Sequence, residues 1–321
     1  MTWKPYYHGD GEPRQTTLAD PPPWRTFPRT PQHGEFRPPP GLTDAVNAAL
    51  HLRRPLLITG PAGSGKSTVI EQVARELDLG PVLRWHITSR STLTEALYRY
   101  DALGRIHAQS LQAAMGNRPG TRTKHRHHRG SDDIAPFLQL GPLGTALLPA
   151  ERPRALLIDE IDKSDLDLPS DLLEALERGE YEIPELVRYR RPKVKVRQWD
   201  SQDEYVIPGG RVLCTQFPFI VLTSNGERDF PPAFLRRCIR YTMPPLTPEL
   251  LQNIVHAHFK RAPDANAQEL INTFAERVGS GEHLAIDQLL NAVALLTGDH
   301  EFPAQQRQEL HELLLRELSR A

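Results

Sequence analysis

A glycine-rich run has the composition and spacing needed to hold phosphate groups. Gly60-Pro61-Ala62-Gly63-Ser64-Gly65-Lys66-Ser67, followed by Thr68, matches the pattern GxxxxGK[ST]. Its glycines allow consecutive backbone N–H groups to turn inward around phosphates, and a helix starting near Lys66 would add the positive end of its dipole. We therefore expect residues 60–68 to bind ATP, with Lys66 reaching the β- and γ-phosphates and the Ser67 hydroxyl placed on Mg²⁺.

A pair of acids forms the second candidate group. Asp159 and Glu160 directly follow the apolar run 155–158, which is the Walker B arrangement. We expect Asp159 to hold Mg²⁺, directly or through water, and Glu160 to orient and deprotonate the water that attacks the γ-phosphate. Acids after a strand often mark only a solvated strand end, but their combination with the glycine loop favours catalysis.

The elements that must position these residues follow from the hydrophobic pattern. A short helix is predicted over 42–52, and the strand 56–59 leads into the glycine loop and then into a helical pattern closed by Gly80. Further apolar strands are predicted at 82–87, 155–158 and 219–223, separated by helical segments. This alternation predicts an α/β fold: a parallel sheet sandwiched by helices.

The remaining segments define the expected domains. After Pro245 the composition predicts helices near 248–261, 267–278, 286–296 and 304–320, hence a helical lid domain over 246–321 that follows an α/β nucleotide-binding domain over 41–245. Residues 1–40 contain ten of the 30 prolines and are expected to form an extended strap, or alternatively a docking arm for a partner. The pattern between Pro184 and Pro218, with a Gly209-Gly210 pair, predicts an inserted β-hairpin.

Composition narrows the function classes. The 39 basic and 40 acidic side chains nearly cancel, so any nucleic-acid contact must be local. Two cysteines outside any ligand pattern argue against a disulfide framework or zinc module, and the absence of a long apolar run predicts a cytoplasmic protein without a membrane span. The run 116–133, rich in Arg, Lys and His, is expected to be a solvated loop; contact with a polyanion or partner, and metal binding, are the alternatives.

With these motifs, residues 36–296 resemble the AAA+ ATPases, specifically the MoxR-like branch with its helix-2 insert and pre-sensor-1 hairpin. The resemblance implies that Asn225, at the end of the run Phe219 to Asn225, holds the attacking water or γ-phosphate. It also implies an arginine finger in the segment 230–238: Arg237, with Arg236 as the alternative, reaching the neighbouring subunit's ATP. The inserts at 104–150 and 184–218 would face the axial pore of a ring.

The same resemblance implies a homo-oligomer, a hexameric ring, that remodels a protein client. Similar ATPases act with von Willebrand A-type proteins, and some occur in bacterial defence or conflict gene clusters. One position departs from the family pattern. The basic second sensor of the family corresponds to the segment containing His283, and either His283 substitutes for it or the role is vacant.

Two other functions stay open. One is a nucleic-acid motor using the basic loop and hairpin, which we do not favour, and the other is a slow nucleotide-gated signalling switch.

Overall fold

The computed structural model describes residues 38–116, 133–260, 262–280, 282, 284–296 and 304–315, together with residues 6–7, 9–10, 12–13, 15, 17–18, 20–22 and 25–26. Most of the proline-rich segment 1–40, most of the basic loop 116–133, and His283 lie outside the described residues. The expectations for these three regions therefore remain predictions.

The strands and helices alternate over most of the chain. In chain order the strands are β1 (Leu56–Thr59), β2 (Leu83–His86), β3 (Tyr98–Tyr100), β4 (Leu138–Leu140), β5 (Ala155–Asp159), β6 (Glu180–Glu182), β7 (Lys193–Arg197), β8 (Glu204–Pro208), β9 (Arg211–Leu213), β10 (Phe219–Ser224) and β11 (Ile239–Thr242). The helices are α1 (Leu42–Leu52), α2 (Lys66–Glu76), α3 (Leu93–Leu97), α4 (Ala102–Gly116), α5 (Pro142–Ala146), α6 (Leu168–Arg178), α7 (Pro184–Val187), α8 (Pro232–Leu235), α9 (Pro248–Phe259), α10 (Ala265–Gly279), α11 (Ile286–Leu296) and α12 (Ala304–Leu314).

A five-stranded parallel sheet forms the centre of the α/β region, in the order β11-β1-β10-β5-β2. Nearly all side chains of β1, β5 and β10 are buried, as expected for central strands covered on both faces. The fold class predicted from the sequence is confirmed. The edge strand β11 was not predicted, because its alternation of half-buried and exposed residues lacks the continuous apolar run of the central strands.

A second sheet has the order β3-β4-β7-β8. β4 belongs to the first insert and β7 and β8 to the second, whereas β3 precedes the first insert. The expected hairpin is present as antiparallel β7 and β8, but its turn is the segment 198–203 rather than the glycine pair. Gly209 and Gly210 instead have positive φ values of 58° and 73° and connect β8 to β9, which pairs with β6. A Cβ at Gly210 would lie 2.5 Å from the Val187 amide nitrogen, so the glycine there permits a close pass beside α7.

Contacts divide the chain into two compact units. One contains residues 38–59 and 66–242. The other contains 1–37, 60–65 and 243–321, and α9, α10 and α11 bury Leu251, Phe274 and Leu289 in its core. Thr247 and Asp264 cap the first turns of α9 and α10 by accepting from the amides of Leu250 and Ala267. The domain boundaries proposed at 40/41 and 245/246 stay predictions.

No helix in the described part of the chain combines the length and apolar character needed to cross a membrane.

The packing of α5 gives a test of the fold. A Cβ at Gly144 would overlap the carbonyl oxygen of Leu97 and lie 3.0 Å from Tyr181 Oη, which donates a 2.9 Å hydrogen bond to the Gly144 carbonyl. We expect Gly144→Ala to destabilise the protein by about 1–3 kcal/mol, because the backbone cannot yield without moving β3. The matched control is Gly279→Ala at the end of α10, where no atom of the described residues lies within 4 Å and the change should be neutral or slightly stabilising. Equal thermal unfolding temperatures for Gly144→Ala and the parent would contradict this packing.

Candidate active site

Asp159 ends β5 and lies between two hydroxyl groups. Its Oδ1 accepts from Ser67 Oγ at 2.8 Å and from Thr223 Oγ1 at 2.6 Å. Ser67 belongs to the first turn of α2, and Thr223 lies on β10, which runs parallel beside β5. Thr223 is fully buried and also accepts from the Glu160 amide at 2.9 Å. One threonine therefore fixes both members of the acidic pair.

Glu160 has an uncommon backbone conformation for a residue other than glycine. Its φ of 60° and ψ of 49° place it in the left-handed region, immediately after the strand. Such conformations are costly and cluster at functional sites, where the surrounding structure holds them. Here the turn redirects the Glu160 side chain away from the strand direction and into a group of polar neighbours.

Three side chains face the Glu160 carboxylate. Lys163 Nζ donates to Oε2 at 2.8 Å, Asn225 Nδ2 donates to Oε1 at a long 3.4 Å, and His86 Nε2 lies 3.7 Å from Oε2. The hydrogen bond to Glu160 raises the pKa of the Lys163 ammonium. The carboxylate is thus anchored on one side, while its contact with Asn225 is loose.

Lys66 is buried and turned toward the carboxyl end of β10. Its Nζ donates a 2.8 Å hydrogen bond to Asn225 Oδ1. Burial lowers the pKa of Lys66, and the carboxylates of Asp162, Asp159 and Glu160 oppose that effect in this order. A largely desolvated ammonium among carboxylates interacts strongly with any anion brought beside it, because little water screens its charge.

Three glycines of the loop have backbone conformations that other residues rarely adopt. Gly60, Gly63 and Gly65 have φ values of 152°, 78° and 86°. A Cβ at Gly60 would lie 2.7 Å from Met243 Cβ, and one at Gly63 would lie 2.7 Å from Ile286 Cβ. These positions therefore require glycine for both conformation and space. Pro61 accepts from the amide of Ser64, and Ala62 and Thr68 are exposed.

Two observations test the fit of a magnesium nucleotide to these groups. Ser64 Oγ is buried, and among the described residues it has no hydrogen-bond partner, as expected of a group kept for a ligand. Ser67 and Asp159 present the hard oxygen donors that Mg²⁺ prefers, and this ion is typically held by one or two carboxylates together with substrate phosphates. The residues present fit Mg²⁺ and a triphosphate.

The two candidate arginines lie in a different place. Arg237 follows α8, and its Nε is 2.7 Å from Glu177 Oε1 on α6. Arg236 is exposed, and its carbonyl accepts from Arg54. Neither joins the hydrogen bonds around Asp159 and Glu160 in the described part of this chain. That one of them acts as an arginine finger stays a prediction.

Several residues of this site were not identified from the sequence. Thr223, Lys163, His86 and Asp162 contact the expected residues, but each is unremarkable by type in its strand or turn. The parallel neighbour relation of β2, β5 and β10 brings Thr223, His86 and Asp162 to their partners, whereas Lys163 contacts Glu160 within one turn. The one available signal was the charged pair Asp162-Lys163, which follows Glu160 after Ile161.

Comparison with known proteins gives one family match and several similar solved structures. Residues 41–184 match a family model described as "AAA ATPase domain". No curated protein matches the chain. Similar solved structures include NtrX from Brucella abortus with ADP (14% identity, TM-score 0.41) and with ATP (14%, 0.43), each covering 80% of this chain and 49% of the other. A RuvB mutant from Thermotoga maritima has 15% identity and a TM-score of 0.40, covering 85% of this chain and 67% of the other.

The chain thus spans about half the length of the NtrX chains, since the match covers 49% of each. The family match includes the glycine loop, the acidic pair and three strands of the parallel sheet. Residues 41–184 are therefore similar to an AAA ATPase domain, and the glycine loop and acidic pair within them are those of an ATP-hydrolysing P-loop enzyme.

Proposed function

We propose that the protein couples ATP hydrolysis to the remodelling of a protein partner, in the manner of MoxR-like AAA+ ATPases. The observation that carries the proposal is the hydrogen-bonded network from Ser67 through Asp159 and Thr223 to Glu160, and from Glu160 through Asn225 to Lys66. The network joins Ser67, Asp159, Glu160 and Lys66 on adjoining elements, which supports their proposed roles as metal ligands, general base and phosphate-binding cation. A site with a purely structural role would not need metal ligands, a general base and a phosphate-binding cation together.

Each residue of the network then has a role. The amides of 60–67 and the Lys66 ammonium bind the phosphates. Ser67 and Asp159 would hold Mg²⁺, which neutralises phosphate charge when it is bound. Glu160 accepts the proton of the attacking water, and Asn225, in loose contact with Glu160, orients that water.

Arg237 completes the site of a neighbouring copy in this proposal. It is about two-fifths exposed, and its partner Glu177 is more than half exposed, so water screens their ion pair. An arginine held so weakly can exchange Glu177 for a γ-phosphate at little cost. The resulting assembly is a homo-oligomeric ring, for which we propose the hexameric form.

The insert supports a protein partner. Leu103 and Ile106 are 80% and 60% exposed on α4, and their i, i+3 spacing makes them neighbours on the helix surface. Adjacent exposed apolar side chains mark surfaces that bind other proteins. Partners of the von Willebrand A type and a bacterial defence setting belong to this proposal through the family resemblance.

A second candidate function is a nucleic-acid motor, and one surface favours it. Lys193, Lys195 and Arg197 project from the same face of β7, and cross-strand pairing adds Arg99 of β3 to that face. All four are exposed, and Lys195 lies 3.8 Å from the carboxylate of Glu204. Phosphate contacts of this kind depend strongly on salt.

Two substitutions separate ATP binding from hydrolysis. We expect Glu160→Gln to keep ATP affinity and to lower kcat by about 10²–10⁴-fold, because the general base is lost. Lys66→Ala should instead remove measurable ATP binding. Turnover assays and titration with a fluorescent ATP analogue measure both effects, and Glu174→Gln on the exposed face of α6 is the matched control. Parental turnover in Glu160→Gln would show that another group is the base.

The shared site can be tested by mixing subunits. Arg237→Ala should bind ATP normally and hydrolyse it at least about tenfold more slowly, because the neighbour's charge is missing. Mixing it with Glu160→Gln subunits, which still donate Arg237, should restore part of the activity. Arg236→Ala is the control that distinguishes the two arginines. Slow turnover without any restoration in mixtures would count against a shared site.

The partner class can be tested with the Glu160→Gln variant held in ATP. We expect it to retain a protein that accelerates ATP turnover by the parent enzyme severalfold, as a motor requires. Leu103→Gln combined with Ile106→Gln should abolish the acceleration, whereas Lys193→Gln combined with Lys195→Gln should preserve it. Acceleration by DNA or RNA that falls with salt and with the lysine variant would instead support the nucleic-acid motor, and unaccelerated slow turnover would support a signalling switch.

A further inference from the structure

The turn after β10 is fixed by a side chain that no motif assigns to the reaction. Asp162 lies in a single 3-10 turn, Ile161–Lys163, directly after Glu160, and it is only 5% exposed. Its Oδ2 accepts the backbone N–H of Asn225 at 2.9 Å and that of Glu227 at 3.2 Å. One carboxylate oxygen therefore holds two amides of the turn that carries Asn225.

The shape of this turn suits a carboxylate. Gly226 lies between the two donors with a φ of 80°, and its own amide donates to Ser224 Oγ at 3.0 Å. Successive amides arranged around a left-handed residue form a concave site for an anion. Hydrogen bonds to a charged acceptor are stronger than those between neutral groups, so this contact fixes the turn more firmly than an ordinary loop contact would.

A second contact runs in the opposite direction between the same two segments. Arg228 donates through Nη1 to the Ser164 carbonyl at 2.8 Å and through Nη2 to Ser164 Oγ at 3.3 Å. Ser164 is 4% exposed. The segment 162–164 and the turn 225–228 are thus joined twice, by a carboxylate at one end and by a guanidinium at the other. We call this pair of contacts the Asp162–Arg228 clamp.

The clamp matters because of what the Asn225 side chain touches. Its Oδ1 accepts from Lys66 Nζ, and its Nδ2 faces Glu160. Because the backbone of Asn225 is fixed, the position of its carboxamide depends only on the side-chain torsion angles. Small displacements of a positioned group cost large factors in rate, on the order of 10²-fold per 1 Å.

We propose that Asp162 is a positioning residue for ATP hydrolysis, acting through Asn225, and that Arg228 supports it from the other end of the clamp. The inference rests on the assignment of Lys66, Glu160 and Asn225 to the hydrolytic site. Asp162 contacts the Asn225 backbone rather than its side chain, so its effect falls on kcat more than on ATP affinity.

The test is a double-mutant comparison in the full-length chain. We expect Asp162→Ala to lower kcat by about 10–100-fold with ATP affinity within about twofold of the parent. Asp162→Asn keeps one acceptor oxygen for the two amides and should lose less, and Arg228→Lys should lose less than Arg228→Ala. Asp165→Ala is the matched control, because its carboxylate accepts from the Leu166 amide, outside the clamp.

Combining Asp162→Ala with Asn225→Ala gives the decisive outcome. If Asp162 acts through Asn225, the double variant should be no slower than Asn225→Ala by more than about twofold, since residues acting as a unit are not additive. Multiplied losses, or equal losses of kcat and ATP affinity in Asp162→Ala, would overturn the positioning role. Parental kcat in Asp162→Ala with a slow Asn225→Ala overturns this inference alone. Parental kcat in Asn225→Ala overturns the site assignment with it.

Discussion

The pairing of β5 with β10 is the constraint on which the site depends. The two strands run parallel, so their carboxyl ends reach the same edge of the sheet, and the register that pairs Leu222 with Ile158 brings Thr223 beside Asp159. A shift of one residue would move Thr223 to the other face of the sheet and separate it from both acids. The buried apolar side chains of both strands prevent that shift, so the hydrophobic core sets the register of the catalytic edge.

Charge balance is the second condition of the site. Asp159, Glu160 and Asp162 lie in one short segment, and Lys66 and Lys163 are the cations that contact or face them. Burying like charges is costly unless each finds a donor, and here hydroxyls, amides and an ammonium supply those donors. A bound metal would relieve the remaining excess of negative charge. This charge balance is one reason for the proposal that the nucleotide binds together with Mg²⁺.

The sequence predicted the central strands of the parallel sheet and identified the residues of the candidate site, because both depend on local signals. Continuous apolar runs identify β1, β5 and β10, and the glycine spacing identifies the loop from 60 to 67. The edge strand β11 and the short strands β3, β4 and β6 lack such runs and take their form from their neighbours. The contacts of Thr223 and Asp162 could not be predicted, because their partners lie more than sixty positions away in the sequence. The position of the hairpin turn could not be predicted either, because β9 pairs with β6 and not with β8.

The antiparallel pairing of β3 with β4 brings together the two ends of the segment between them. Tyr98 is opposite Leu140 and Tyr100 is opposite Leu138, so the two ends of the intervening segment meet at the spacing of adjacent strands. The entropy of closing such a segment grows only slowly with its length. Extra residues inserted between these strands would therefore add only a small closure entropy to the cost of folding. This makes the segment a natural position for sequence divergence and for attaching a fluorescent reporter.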